Sequence, residues 1–238
     1  MSEISRRDLL RGGAMGLAAL GLGACRLPSN AAPTESSGKI ADYGSYLKAA
    51  PAAGKAFDKG GPANGAPTED NIEGPFYRSG APYRAKITPP LEPGTVLLVR
   101  GRVWGHDTKK PLSGAVLDIW QANAKGRYDN DDRAHPPGKG VFLNRARLIT
   151  DENGYYEYET VHPGNYPLDQ TRLRPAHIHY YVRHPRYRDL ITQLYFKGDP
   201  HNDGDPFIKP SLIIDLRQGK AGNQSYEIGD FDVVLAAK

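Results

Sequence analysis

Seven short runs of β-branched, aromatic and aliphatic residues, each closed by turn-forming residues, set the strongest limit on what this chain can become. They cover residues 95–104, 115–121, 155–161, 177–183, 190–196, 211–216 and 225–235. The breaks between them are made of Lys110-Pro111, Glu152-Asn153-Gly154, Pro163-Gly164-Asn165, Gly198-Asp199-Pro200 and Asn202-Asp203-Gly204. Such residues supply the fixed φ of proline, the positive φ of glycine, or side chains that bond their own backbone. Hardly any helical periodicity competes with this pattern. Many short strands with regular turn signals predict an all-β domain, a β-sandwich core with long loops, over residues 71–238.

The chain before residue 71 has a different character. Ser5-Arg6-Arg7-Asp8-Leu9-Leu10-Arg11, followed by small and apolar residues from Gly12 to Ala24, reads as a twin-arginine export signal over residues 1–25. Its apolar run is shorter than the roughly 20 residues a membrane-spanning helix needs. The run ends Leu22-Gly23-Ala24-Cys25, which resembles a lipobox, and Cys25 is the single cysteine of the chain. These features predict export by the twin-arginine route and lipid attachment at Cys25. The protein would then be periplasmic or on the cell surface, anchored to the membrane. Without a second cysteine there is no disulfide within the chain. Residues 26–70, rich in Ala, Pro, Gly, Ser and Lys, read as a flexible tether with one short helix around 43–53. The formal net charge is +4, and Arg6, Arg7, Arg11 and Arg26 lie in or beside the leader. Elsewhere basic and acidic residues are interleaved, which argues against a nucleic-acid partner.

Within the domain, Arg174-Pro175-Ala176-His177-Ile178-His179-Tyr180-Tyr181-Val182 concentrates the chemistry. Successive side chains of a strand alternate faces, so His177 and His179 point the same way and Ile178 points into the opposite layer. Two imidazoles on one face, beside a guanidinium, make half of a metal site if further ligands exist. Tyr128 and Tyr166 offer themselves in connecting segments next to glycine and proline. From residue types alone, either tyrosine also fits an ordinary loop cover.

Several motifs then occur in order. They are Gly101-x-Val103 with Pro111-Leu112-x-Gly114-Ala115-x-Leu117-Asp118-Ile119-Trp120-Gln121-Ala122-Asn123-x-x-Gly126-x-Tyr128, then Thr150-x-x-x-Gly154-x-Tyr156 and Pro163-Gly164-x-Tyr166-Pro167. Arg174-Pro175-Ala176-His177-Ile178-His179, Thr192-Gln193-Leu194-Tyr195-Phe196 and Gly198-Asp199-Pro200 follow. This ordered set resembles the intradiol ring-cleavage dioxygenases. With no long helical N-terminal segment, the chain looks closer to the protocatechuate-type and exported members than to cytosolic catechol 1,2-dioxygenases. One departure is Leu168-Asp169 after Tyr166-Pro167, where many relatives carry tryptophan.

The resemblance implies a β-sandwich and one non-haem Fe(III) held by Tyr128, Tyr166, His177 and His179. It implies a small aromatic diol and O2 as substrates, and cleavage between the two hydroxylated carbons to a cis,cis-muconate-type product. Tyr166 matches the tyrosine that leaves the metal when substrate binds. Arg174 matches an arginine that contacts substrate and stabilises charge on the activated ring, Gln193 is a polar neighbour, and Gly74-Pro75-Phe76-Tyr77 form one wall of the substrate pocket, with Gly74 and Pro75 in contact with substrate. Two phenolates suit Fe(III), because hard oxygen donors select hard, highly charged ions. A homo-oligomer is compatible with the resemblance. A non-catalytic cell-surface β-sandwich binding module, or a copper or zinc protein using the histidines alone, stays open as an alternative.

Overall fold

The structure, a computed structural model, describes residues 65–238, so the leader, Cys25, most of the tether and the helix expected at 43–53 lie outside the described residues. Among the described residues there is no α-helix, and two five-stranded sheets carry the fold. The first is built on β1 (Val96–Gly105), flanked on one side by antiparallel β4 (Tyr155–Val161). On its other side β1 takes β11 (Gln224–Asp230) and then β12 (Val233–Leu235), both parallel. The second sheet has the order β3-β2-β7-β8-β9, with β3 at Arg145–Ile149, β2 at Val116–Gln121, β7 at His177–Arg183, β8 at Leu190–Phe196 and β9 at Ile213–Ile214. The all-β sandwich expected from the turn-punctuated runs is therefore what forms.

Alternation decides which side chains meet. Leu97, Val99 and Val103 of β1 and Tyr156 and Tyr158 of β4 bury in one core with Leu117, Ile119, Ile178, Tyr180, Val182 and Leu194 of the other sheet. Burial of that apolar area is the main stabilising term. The tyrosine hydroxyls inside it are paired, Tyr158 with Tyr180 and Tyr156 with the Phe231 carbonyl, so they are not left unsatisfied. The alternate positions of the second sheet, Trp120, Arg145, His177, His179 and Gln193, lie on its far face and are buried as well. β7 is thus covered on both sides, which explains its nearly unbroken burial.

Three expectations need correction at the strand level. Arg145-Ala146-Arg147-Leu148-Ile149 forms the edge strand β3, and Leu216–Ala221 forms β10 against β11, although neither stretch looked strand-like. Their polar composition is that of edge strands, which need only one well-packed neighbour. The run at 211–216 is not one strand: a 3-10 turn at Pro210–Leu212 precedes the two-residue β9. The run at 225–235 breaks at Phe231-Asp232, where the Asp232 carboxylate accepts from Arg102 N (2.7 Å) and Trp104 Nε1 (3.2 Å). The register against β1 does not slip across this break, since Arg100 faces Asp230 and Val103 faces Val233.

Residues 68–72, at the end of the stretch read as tether, run along the sheets. Thr68 N donates to Val234 O (3.0 Å), Thr192 Oγ1 to Glu69 O (2.7 Å) and Asn71 N to Ile191 O (2.8 Å). This path delivers Gly74 and Phe76 to the far face of the second sheet.

Candidate metal centre

His177 and His179 lie on β7 with their Nε2 atoms 3.2 Å apart. The Tyr128 hydroxyl is 3.4 Å and the Tyr166 hydroxyl 3.3 Å from His177 Nε2. All four predicted ligands are brought together. Neither tyrosine could arrive there without its glycine. Gly126 (φ +73) and Gly164 each precede a tyrosine by two residues, and the two segments cross at these points. A Cβ on Gly126 would stand 2.1 Å from Asn165 O, and one on Gly164 would stand 2.5 Å from Ala124 O. Asn123 O accepts from both Gly126 N and Gly164 N (2.9 Å each), locking the crossing. The Gly-x-Tyr spacing repeated in the sequence is the trace of this contact.

Burial sets the protonation of the ligands. It holds His177 down at about 3, aided by the Arg174 charge, and holds His179 well below the usual range with help from His177, Arg174 and Arg145. Both imidazoles are therefore neutral at physiological pH. His177 Nδ1 donates to Pro175 O (2.7 Å), which leaves its Nε2 as a lone pair aimed at the cluster. His179 Nδ1 is buried and makes no hydrogen bond of ordinary geometry, although the Ile72 carbonyl is close enough to act on it. Burial also pushes the Tyr128 phenol well up, and raises Tyr166 against the opposing charge of Arg174. Such phenols ionise at neutral pH only if a cation takes the proton's place.

The donor set fits a metal ion. Ligand atoms with bonds of about 2.0–2.1 Å in a tetrahedral set lie roughly 3.3 Å apart, which matches the 3.2–3.4 Å separations around His177 Nε2. Among the described residues no cluster of three His, Cys, Asp or Glu side chains offers an alternative centre. Phenol oxygens are hard donors, a ligand type that suits hard, highly charged ions.

Arg174 sits on β6 (Leu173–Arg174), paired with β5 (Tyr166–Pro167), so that Tyr166 and Arg174 face each other. It is only 3% exposed. Nε donates to Asp205 Oδ2 (2.7 Å), and Nη2 donates to Gln193 Oε1 and Tyr195 OH (3.0 Å each). Nη1 is left directed at Tyr166 OH and His177 Nε2, 3.4 Å from each. Gln193 completes the frame by donating from Nε2 to Ile72 O (2.8 Å). Gly74 (φ +71) lies against the edge of His179, where a Cβ would come 3.4 Å from Cε1. Pro75 beside it is exposed, and Phe76 of the same stretch stacks on Tyr128 with centroids 4.2 Å apart. Phe76, Gly126, Arg127, Tyr128, Asp131, Tyr166 and Pro167 line a cleft of about 270 Å³ that opens on both tyrosines.

Several site residues carried no signal on their own. Asp205 neutralises Arg174, and Trp120 stacks on His179 at 4.7 Å and 8°. Asp199 was visible only as part of Gly-Asp-Pro. Its Oδ2 accepts from Asn165 Nδ2 and Ala176 N (2.8 Å each), the residues just before Tyr166 and His177.

Comparison with known proteins agrees with this architecture. Residues 72–237 match the family model described as a dioxygenase. Catechol 1,2-dioxygenase 2 of Acinetobacter lwoffii is 39% identical over 150 residues, 56% of this chain and 53% of that protein. An intradiol ring-cleavage dioxygenase of Aspergillus niger is 32% identical over 191 residues, 72% of this chain and 59% of that protein. The chain thus spans between about half and three-fifths of the length of these two relatives. The solved dioxygenase domain of a dioxygenase and carbohydrate-binding fusion from Streptomyces sp. SirexAA-E superposes with a TM-score of 0.61 at 35% identity, covering 73% of this chain and 100% of that one. The chain belongs to the intradiol ring-cleavage dioxygenase family.

Proposed function

We propose that this chain cleaves a catechol-type aromatic ring between its two hydroxylated carbons, using O2 and one non-haem Fe(III), to give a cis,cis-muconate-type diacid. The observation that carries the reading is the convergence of two phenol oxygens and the His179 Nε2 nitrogen, each within 3.4 Å of His177 Nε2, with the Arg174 guanidinium at the edge of the cluster. When bound, Fe(III) supplies the Lewis acidity that ionises the catechol and draws electron density from its ring.

The protein's own groups divide the remaining work. Tyr166, half-buried on a two-residue strand, would bind as a phenolate and be the ligand that leaves the donor set, taking up a proton from an incoming catechol hydroxyl to become a neutral phenol. Its oxygen keeps Arg174 Nη1 as a neighbour at 3.4 Å, so the released phenol still has a partner. One edge of the Arg174 guanidinium is fixed by Asp205, Gln193 and Tyr195, and the other faces the place where the ring gains negative charge. A donor preorganised in this way stabilises developing charge without reorganising during the reaction. Phe76 and Pro167 supply the apolar walls for the ring.

The test is product identity under labelled dioxygen. With a simple catechol, the expected product is a ring-opened dicarboxylic acid carrying both labelled oxygen atoms. A yellow aldehyde acid, or no oxygen consumption, contradicts intradiol cleavage. On cell location, we propose export by the twin-arginine signal and lipid attachment at Cys25. A mature chain whose mass begins at another residue, without acyl mass, would overturn the anchor.

A further inference from the structure

Arg145 is a buried arginine, 1% exposed, that the reaction scheme above does not use. It lies in one transverse row across the second sheet, where Arg145 faces Trp120, Trp120 faces His179 and His179 faces Gln193. From that row its guanidinium reaches the segment just after Tyr128. Nε donates to Asp129 Oδ1 and Nη2 to Asn130 Oδ1, each at 2.7 Å. The other Asp129 oxygen accepts from Arg78 Nη1 (2.7 Å) and from Leu143 N (3.2 Å). Asn130 Nδ2 in turn donates to the carbonyl of Phe76 (3.4 Å), whose ring stacks on Tyr128. One buried cation therefore joins the strand row bearing His179, the segment bearing Tyr128 and the segment bearing its stacking ring.

We infer that Arg145 is a positioning residue that holds the Tyr128 phenol in the metal-binding geometry, through Asp129 and Asn130 and through the Phe76 backbone. The inference rests on the iron reading above. A loop tyrosine has no strand to orient it, so its aim must come from contacts on either side of the ring. The guanidinium fork serves both acceptors in one plane, which an ammonium cannot do. The Asp129 side chain is fully buried, and its charge is compensated by Arg145 on one oxygen and Arg78 on the other. Tyr166 differs: it is half-buried at the rim. The clamp therefore separates a fixed phenol from an exchangeable one.

The test uses the full iron-loaded chain and follows iron release to a chelator, together with the visible phenolate band. Arg145→Lys keeps the charge and loses the fork, and it should release iron about 10- to 100-fold faster, the range for outer partners of metal ligands. Asn130→Ala leaves no buried charge behind and should release iron about threefold faster or more, with a shifted band. Arg183→Ala serves as the control, because it breaks the pair with buried Asp118 at the end of β7 opposite His177. It should lower the melting temperature and leave iron release and spectrum unchanged. If Arg145→Lys does not fold, Asn130→Ala decides alone. Wild-type release rates and spectra in the folded clamp variants would overturn the positioning role. A wild-type chain that takes up no iron would overturn the metal reading itself and the role with it.

Discussion

Tyr128→Phe and His177→Ala should each abolish iron retention and visible colour while leaving the sandwich folded. The phenylalanine keeps the ring that stacks on Phe76 and removes only the oxygen facing His177 Nε2. Changing an outer partner of a metal ligand typically weakens metal affinity about 10- to 100-fold, so loss of a ligand itself should exceed that range. His177→Ala also opens a cavity and should melt lower than Tyr128→Phe. Turnover of catechol should fall below detection in both. Iron analysis and a visible spectrum after desalting check this. Either variant retaining stoichiometric iron and its colour would remove that residue from the donor set.

Arg174→Ala should separate catalysis from metal binding. Its Nη1 touches the cluster edge at 3.4 Å without belonging to the donor set, so iron and colour should persist. Turnover should fall about 10²- to 10³-fold, the effect of removing one preorganised electrostatic donor. The structure adds a second consequence. Asp205 is fully buried against Arg174, so the alanine variant leaves an unpaired buried carboxylate and should lose about 3–5 kcal/mol of stability. Arg174→Ala/Asp205→Asn should recover much of that stability and none of the rate. Arg174→Lys should recover part of the rate, because an ammonium cannot serve Asp205, Gln193 and the cluster together. A near wild-type rate in the alanine variant, with iron bound, would end the catalytic role of Arg174.

What the sequence disclosed, and what it withheld, follows from the range of the interactions. β1 and β4 were legible because they alternate, and β2, β7 and β8 because they are nearly continuous branched, aliphatic and aromatic runs between turn residues. β3 and β10 were not, since their arginine, glutamine and lysine give no periodic apolar signature, even where folding buries one of them, Arg145. His177 and His179 were readable as a pair because strand periodicity is local. Tyr128 and Tyr166 required the ordered motifs, and only the crossing of Gly126 with Gly164 explains why the two Gly-x-Tyr segments arrive together. Asp205 and Asp129 gave no hint, being ordinary aspartates until folding places them against Arg174 and Arg145. The wall read at Gly74-Pro75-Phe76-Tyr77 also came from the family motif, since nothing local shows that Phe76 of this run stacks on Tyr128 and borders the cleft.

The central claim is that the two tyrosines and two histidines form an Fe(III) site open to a catechol. The most direct measurement is metal analysis of the purified full-length chain, with its visible spectrum recorded before and after anaerobic addition of catechol. The donor set of two phenols and two imidazoles predicts about one iron per chain and a red-brown colour from phenolate charge transfer, with a further spectral shift when catechol binds. A colourless chain fully loaded with zinc or copper, or an iron band that catechol leaves unmoved, would contradict it.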